Sequence, residues 1–230
     1  MLPEKTDIKT AGRAGDLNRP PRKRKGGILI ILGILLIMGS LSLTTYNVWD
    51  NERAGRASDQ VLQSIDEEIG AINPEDPSVA MDQDSMHTIN IDGYDYIGTI
   101  EIPSLEIRLP VMAAWDYKRL KVTPCLYSGS YLDDDMVICG HNYRKHFSPI
   151  KWVDIGAEVY FITVDQVVYQ YKVSNRTTVQ PTSIPEMVDN LTRAPDSDKA
   201  EDWDLTLFTC NPGGTTRCAV RCIRVPAESE

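Results

Sequence analysis

The sequence predicts an all-β domain, a barrel or sandwich of short strands, preceded by a single transmembrane helix. Three observations support this prediction. Residues 26–49 form one charge-free apolar stretch, short β-branched and aromatic segments begin at Tyr94, and glycine- and proline-containing turns separate those segments. Since little of the chain after Tyr94 has helical periodicity, strands must supply most of the core.

The apolar stretch at residues 26–49 is long enough to cross a bilayer as a helix. All four residues before it, 22–25, are basic, which favours a cytoplasmic N-terminus, and Tyr46 and Trp49 suit the opposite interface. The alternative is a cleaved signal peptide, but no small-x-small cleavage site follows the stretch cleanly and the leader is long. We therefore expect residues 1–25 to be a cytoplasmic basic tail and residues 26–49 to be an uncleaved single-pass anchor.

Charge is distributed unevenly along the chain. Residues 1–25 carry eight basic and three acidic side chains, whereas residues 50–230 carry 16 basic and 30 acidic ones. A domain this acidic is a poor candidate for a nucleic-acid-binding protein, because phosphate groups need a basic surface. With the N-terminus in the cytoplasm, the acidic domain is expected to lie outside the cell, tethered to the membrane.

Residues 50–93 predict a helix followed by an acidic linker or lid. Residues 73–93 contain two prolines and few apolar side chains, which is typical of a linker or a mobile lid. In the preceding part, residues 50–72, four apolar side chains recur at helical spacing: Val61, Leu62, Ile65 and Ile69.

One domain is predicted over residues 94–225, since seven segments there have the composition of strands. A helical turn is expected within residues 147–155 and another near residues 186–191, inside a long polar connection. The predicted strands are residues 96–102, 107–112, 136–139, 158–164, 167–173, 204–209 and 218–225.

The chain has five cysteines, and none forms a pair with zinc-finger spacing. Cys218 and Cys222 share a predicted strand, where four residues span about 13 Å, too far for a disulfide. An odd count leaves at least one thiol free. We interpret Cys125, Cys139, Cys218 and Cys222 as small buried hydrophobic residues.

The fifth cysteine, Cys210, ends a predicted strand just before a turn, where a side chain can be reached. A cysteine nucleophile needs a nearby base or cation to favour its thiolate. Arg217 follows seven residues later, across the turn, so it can lie beside Cys210 on the adjacent strand. His141 follows another strand end, 69 residues before Cys210, and only the fold can bring it close. Taken singly, these residues also fit a core cysteine, a turn histidine and a solvated arginine.

The sequence TLFTC at residues 206–210, followed by Arg217 in R-x-x-V, resembles the TLxTC and downstream arginine of the sortase family. His141 within CGHN lies in the matching order. Residues 97–111 resemble the opening strands of the family, and residues 146–161 resemble the segment after its catalytic histidine. The resemblance covers about residues 94 to 225 and implies a closed eight-stranded sortase-type β-barrel with short helices.

This resemblance implies a membrane-anchored cysteine transpeptidase of the Gram-positive cell surface. Cys210 would attack the Thr–Gly carbonyl of an LPXTG-like sorting signal, His141 would protonate the leaving amine, and Arg217 would hold the oxyanion or the peptide backbone. The thioacyl enzyme would pass a surface protein or pilin to an amine, from a peptidoglycan cross-bridge or a pilin lysine. We expect the backbone N–H of Asn211 to be a second oxyanion donor.

The family usually binds its substrate with the loop before the cysteine strand, here residues 182–203. Apolar side chains there are expected to form a groove beside Cys210 and Thr209, although they would equally serve to cap the barrel. These side chains are Ile184, Met187, Val188 and Leu191.

Several alternatives stay open. His146 and Arg221 are the rivals of His141 and Arg217. No cofactor is expected, although Asp133, Asp134 and Asp135 are a candidate calcium site. The function alternatives are a non-catalytic, membrane-tethered binding barrel and a cysteine hydrolase that releases its peptide to water.

Two features weaken a pilin-polymerising assignment within the family. Polymerising members often carry a lid with an Asp-Pro-aromatic motif, whereas Asp76-Pro77 is followed here by Ser78. They also often carry a second, C-terminal membrane segment, and no apolar stretch precedes Glu230. The class of sortase therefore stays open.

Overall fold

The computed structural model describes residues 25–71, 85–189 and 203–226. The chain divides into two compact units, Met1–Thr45 and Tyr46–Glu230. The first helix, α1 (Lys25–Ala71), contributes to both units. Most of the predicted lid, residues 73–84, lies outside the described residues, as does Leu191.

The N-terminal part of α1 is apolar and uncharged. Among the described residues, α1 is the one helix long and apolar enough to cross a membrane, with a mean hydropathy of 2.4 in its most apolar window. The sequence predicts an anchor at residues 26–49 and a helix at residues 50–72. The structure instead has one continuous helix, because neither proline nor glycine interrupts residues 40–54.

The C-terminal part of α1 is amphipathic, as its spacing predicts. Leu62 and Ile65 are buried, and Val61 and Ile69 are partly buried against the apolar cluster that contains Ile65. Arg108 adds a charged contact with the helix, since its guanidinium pairs with the Asp66 carboxylate at 2.9 Å. This half of α1 is therefore docked on the sheet.

In the described part of the chain, nine strands form one sheet. In chain order they are β1 (Ile89–Ile91), β2 (Tyr94–Ile102), β3 (Ile107–Met112), β4 (Cys125–Ser128), β5 (Met136–Gly140), β6 (Glu158–Thr163), β7 (Val168–Val179), β8 (Leu205–Cys210) and β9 (Arg217–Arg224).

The sheet closes into a barrel, and the predicted fold class is confirmed. The strand order is β1-β2-β3-β4-β5-β8-β9-β7-β6, and a further pairing of β2 with β6 closes a ring of eight strands, leaving β1 as an addition to β2. The β3–β4 and β5–β8 pairs are parallel, and the others are antiparallel. Closure leaves no free sheet edge within the ring.

Two apolar clusters make up the core. Met136 and Ile138 belong to the larger cluster, whereas Val137 and Cys139, the alternate residues of β5, belong to the smaller one. This alternation follows from the two faces of a strand. The smaller cluster also contains Ile65 of α1 and Met187 of the second helix, α2 (Ile184–Val188), so both helices pack on this face.

Some elements differ from the prediction. β1 and β4, with three and four residues, were not predicted, and each has a single buried residue. β7 continues to Val179, beyond a bulge between Val173 and Asn175, through a polar stretch that gives no strand pattern. The expected helical turn in residues 147–155 is a short 3-10 helix, Ser148–Trp152.

Candidate active site

Cys210 is the last residue of β8, and Arg217 is the first residue of β9. The two residues are directly paired across the antiparallel hairpin. The turn between them contains Gly213 and Gly214, whose positive φ angles of 82° and 72° lie in the region that favours glycine. The Asn211–Gly214 turn therefore places the thiol and the guanidinium side by side at one end of the barrel.

His141 follows β5 immediately, and β5 lies parallel to β8. Gly140 pairs with Thr209 in this ladder, and the Thr209 hydroxyl donates a hydrogen bond of 2.8 Å to the Gly140 carbonyl. His141 and Cys210 are the next residues on these two neighbouring strands. Parallel strands lie about 4.8 Å apart, so the two side chains leave the barrel at the same end.

A glycine is required before His141. A Cβ atom at Gly140 would lie 2.4 Å from the ring of Phe147, which is fully buried. The loop between these residues is compact, since the Phe147 N–H donates to the His141 carbonyl at 3.3 Å. Close packing against the glycine backbone thus fixes the backbone position from which the His141 side chain projects.

One cavity of about 300 Å³ joins the three predicted residues, His141, Cys210 and Arg217. Cys210 and His141 are partly exposed within it, whereas Thr209 is buried. A thiol, an imidazole and a guanidinium in one cavity provide a nucleophile, a proton donor or acceptor and a fixed positive charge.

Burial lowers the pKa of His141 below its ordinary value, and the Asp50 carboxylate opposes this shift. The imidazole stacks on the Tyr143 ring, with centroids 4.0 Å apart and planes 5° from parallel. Within the described part of the chain, the buried Nδ1 of His141 has no hydrogen-bond partner. Stacking, rather than a hydrogen bond to Nδ1, therefore orients this ring.

Arg217 is held by its own turn. Its Nη1 donates to the carbonyl oxygens of Gly214 and Thr216 at 3.0 and 3.2 Å. The backbone N–H of Asn211 donates to the Thr216 carbonyl at 2.9 Å. Because this hydrogen bond closes the turn, the N–H is not free for an oxyanion, and the role expected for Asn211 is not supported by the geometry.

The two rival residues lie elsewhere. His146 is fully buried against α1, where its Nε2 lies 3.1 Å from the Ser58 hydroxyl, and burial lowers its pKa to about 4. Arg221 pairs with Thr206 rather than with Cys210, and its guanidinium donates to the Glu186 carbonyl at 2.7 Å. Neither residue lines the cavity that contains Cys210.

Some of the predicted substrate-binding residues line the cavity and others do not. Ile184, Met187 and Thr209 line the cavity, and Ile184 is 45% exposed. Val188 is partly buried against the smaller core cluster and does not line the cavity. Thr209 is 1% exposed with its hydroxyl bonded to Gly140, so it supports the two strand ends.

Aromatic side chains line the other wall of the cavity, and no sequence pattern indicated them. Trp115 stacks on Tyr127 with centroids 5.1 Å apart, and Tyr127 meets Phe208 edge-on at 5.2 Å. Trp115 comes from the β3–β4 loop and Tyr127 from β4. Because β4 was not predicted, its alternation could not be used to place Tyr127 beside the cavity.

The other four cysteines are buried and free, and burial raises the pKa of each thiol, that of Cys125 to about 12. Within the described ranges, no group of three or more metal-ligating side chains converges. In the candidate calcium site, Asp134 pairs with Arg224 at 2.6 Å, and Asp135 accepts the Ser130 N–H at 2.7 Å.

Comparison with known families gives a match to the sortase domain over residues 100–225. This stretch is more than half of the chain and contains His141, Cys210 and Arg217. A comparison with curated proteins finds no match.

Solved sortases share this fold. Sortase C1 of Streptococcus agalactiae is 21% identical, with a TM-score of 0.55, over 74% of this chain and 100% of that chain. A Clostridium perfringens sortase C, solved with a C-terminal cell wall sorting motif, is 23% identical, with a TM-score of 0.53, over 74% and 100%. The Clostridium perfringens sortase D5 transpeptidase is 17% identical, with a TM-score of 0.55, over 74% and 99%.

Proposed function

This chain belongs to the sortase family, and we propose that it is a membrane-anchored cysteine transpeptidase acting on proteins that carry an LPXTG-like sorting signal. The observation that carries the proposal is the convergence of Cys210, His141 and Arg217 on one cavity at the ends of adjoining strands. The catalytic roles proposed for these residues follow from their chemistry.

The proposed reaction begins with attack of the Cys210 sulfur on the carbonyl carbon of the threonine in the sorting signal. The Arg217 guanidinium donates hydrogen bonds to the negative oxygen that develops, or holds the peptide backbone beside it. His141 gives a proton to the leaving amine, and the C–N bond breaks. A thioester between Cys210 and the threonine carbonyl remains.

The second half of the proposed reaction transfers the acyl group from Cys210 to an amine. The amine attacks the thioester carbonyl, His141 accepts the proton that the amine loses, and the Cys210 sulfur leaves. A thioester conserves the acyl-transfer free energy of the peptide bond, so no nucleotide is consumed. We propose a peptidoglycan cross-bridge or a pilin lysine as the source of the amine.

Substrate binding is proposed for the apolar walls of the cavity. Ile184 and Met187 on one side and Trp115 and Tyr127 on the other provide surface for the leucine and proline of the signal. Apolar and aromatic linings with few polar groups are typical of peptide-binding clefts.

The location proposed for the catalytic domain is the outer surface of the cell membrane. The apolar part of α1 is long enough to span a bilayer, and basic residues 22–25 before it favour a cytoplasmic N-terminus. An extracellular domain close to the membrane would meet secreted proteins and cell wall precursors.

We propose that the reaction needs no metal ion. In the acidic turn, the Asp134 carboxylate is paired with Arg224 and the Asp135 carboxylate accepts a backbone N–H. Both contacts compete with calcium for these carboxylates. Transpeptidation is therefore expected to be unchanged by a chelator.

The proposal is tested by incubating the full-length protein in detergent with a panel of sorting-signal peptides, with and without an amine acceptor. A transpeptidase forms a new peptide–amine product when the acceptor is added. Cys210→Ala and His141→Ala should abolish this product while the circular dichroism spectrum stays unchanged.

The same assay separates the alternatives. A hydrolase releases the same shortened peptide whether the amine is present or absent. A non-catalytic binding barrel retains the peptide without cleaving it. Either outcome, found for every peptide and acceptor in the panel, contradicts the transpeptidase proposal.

A further inference from the structure

The residues that orient His141 lie partly outside the barrel. The imidazole is stacked face to face on Tyr143, at 4.0 Å between centroids. The Tyr143 hydroxyl donates a hydrogen bond of 2.6 Å to the Asp50 carboxylate. Asp50 is on α1, immediately after the apolar stretch, 93 residues away from Tyr143 in sequence.

Asp50 is itself fixed in place. Its other carboxylate oxygen accepts hydrogen bonds of 3.1 and 2.9 Å from the guanidinium of Arg53, one turn along the helix. The hydrogen bond from Tyr143 is the main cause that holds the pKa of Asp50 below its usual value, and the Arg53 contact lowers this pKa further. Burial and the bond to Asp50 raise the pKa of Tyr143 to about 12. The carboxylate therefore stays ionised, and the hydroxyl keeps its proton.

Two further contacts hold the loop after His141 against the same helix. The Arg144 N–H donates to the Asn51 side-chain carbonyl at 2.8 Å. Nε2 of His146 lies 3.1 Å from the Ser58 hydroxyl, which itself donates to the Val122 carbonyl at 2.6 Å. Polar contacts from three turns of α1 thus act on one loop.

We propose that Asp50 and Tyr143 are positioning residues for His141, so that the helix following the membrane segment completes the active site. The Tyr143 ring holds the imidazole at the cavity, and Asp50 holds the Tyr143 ring. The Asp50 charge also favours the imidazolium form that protonates the leaving amine. This inference rests on the proposed function for the role of His141, but its geometry does not depend on the substrate.

Other charges act on the same imidazole. Lys121 opposes the effect of Asp50, because its positive charge disfavours the imidazolium. The titratable and charged groups around this site come from each element packed against the loop. Asp50 and Arg53 are on α1, and Lys121 is in the β3–β4 connection. His146 is on the loop itself, and Cys210 and Arg217 lie across the cavity.

The first test measures His141 directly. The chain has three histidines, His87, His141 and His146, so selective labelling gives few imidazole NMR signals, which single His→Gln variants assign. In the full-length protein in detergent micelles, Asp50→Asn should move the His141 titration midpoint to lower pH, because a negative charge is lost while the side-chain shape is kept.

The matched control is Asp66→Asn. Asp66 lies on the same helix and pairs with Arg108 on the barrel, but it has no contact with the loop after β5. This variant should leave the His141 midpoint unchanged. Equal midpoints in Asp50→Asn and in the starting protein would overturn the electrostatic part of the proposal, whether or not the protein is a transpeptidase.

The second test measures transpeptidation. Asp50→Ala and Tyr143→Leu should each lower kcat about tenfold with little change in KM, because the acid is misplaced but the peptide cavity is intact. Tyr143→Phe keeps the stack and should lose less than Tyr143→Leu. A normal kcat in both Asp50→Ala and Tyr143→Leu, or a loss in Asp66→Asn as large as theirs, would contradict the positioning role.

Discussion

Burial divides the five cysteines into one that is open to the cavity and four that are not. Cys210 is partly exposed at a strand end, whereas Cys125, Cys139, Cys218 and Cys222 are buried and their thiol pKa values are raised by desolvation. A buried thiol holds its proton and is a poor nucleophile. Reactivity at the residue scale thus follows from position on the strand.

Arg217 provides the first prediction at this scale. Arg217→Ala should lower kcat for peptide cleavage by about 10²- to 10³-fold, because the donor that we propose for the developing oxyanion is lost. Arg221→Ala is the comparison, since Arg221 lies on the same strand but pairs with Thr206. Steady-state kinetics that show the larger loss in Arg221→Ala would reverse the assignment.

Local signals mark the three residues that meet at the cavity. Cys210 ends an apolar strand before a glycine-containing turn, His141 directly follows an apolar strand that ends in Gly140, and Arg217 begins the strand that returns. The contact of Asp50 with Tyr143 was not predictable, because it joins residues 93 positions apart through helix docking. The hydrogen bond that occupies the Asn211 N–H depends on how the turn closes, which composition does not specify.

At the scale of elements, the docked half of α1 stabilises the loop that carries His141. His146 is fully buried between them, with its ring near Ser58 and Ala54. β4 and the end of β7 were not predicted, since β4 is short with one buried residue in four and the end of β7 is polar. The closure of the barrel through β2 and β6 depends on long-range pairing that no local pattern encodes.

The buried His146 should make the folded protein less stable in acid. Burial lowers its pKa from 6.5 to about 4, so between these pH values the unfolded chain binds a proton that the folded chain does not. Stability should therefore fall as the pH falls from 6.5 to 4, by about 3 kcal/mol from this residue.

The check compares Tm against pH for the starting protein and for His146→Gln, which cannot titrate. The variant should have a lower Tm at pH 7.5 but a shallower decline below pH 6.5. Parallel declines in the two proteins would show that His146 does not carry the effect.

Ile184 on the short helix α2 should contribute to binding of the sorting peptide. Ile184→Ser should raise KM for the sorting peptide about tenfold with kcat nearly unchanged, because apolar surface in the cavity is lost. Ile223→Ser is a matched control, since both isoleucines are 45% exposed and Ile223 does not line the cavity. Equal KM values in the two variants would remove Ile184 from the binding surface.

At the scale of the whole molecule, charge and hydropathy separate the chain into a basic tail, an apolar helix and an acidic domain. The tail, residues 1–25, carries eight basic and three acidic side chains, and residues 50–230 carry 30 acidic and 16 basic ones. Lysine and arginine side chains close to a membrane segment favour the cytoplasmic side, whereas acidic side chains contribute little to orientation. The proposed orientation follows from basic residues 22–25, directly before the apolar stretch.

Orientation can be measured with a membrane-impermeant maleimide, because Cys210 is the one cysteine that is not buried. In intact cells expressing the full chain, the reagent should label the protein, and Cys210→Ser should remove the label. Labelling that requires permeabilised cells would place the domain in the cytoplasm.

The central claim is that the Cys210 sulfur becomes acylated by a sorting signal. Intact-mass spectrometry of the full-length protein after incubation with sorting peptides tests it most directly. The account predicts a mass increase equal to the acyl fragment ending in threonine, located at Cys210, absent in Cys210→Ala and removed by an added amine. Two results would contradict it. One is that the starting protein and Cys210→Ala both cleave the peptide and neither forms an adduct. The other is an adduct on another cysteine.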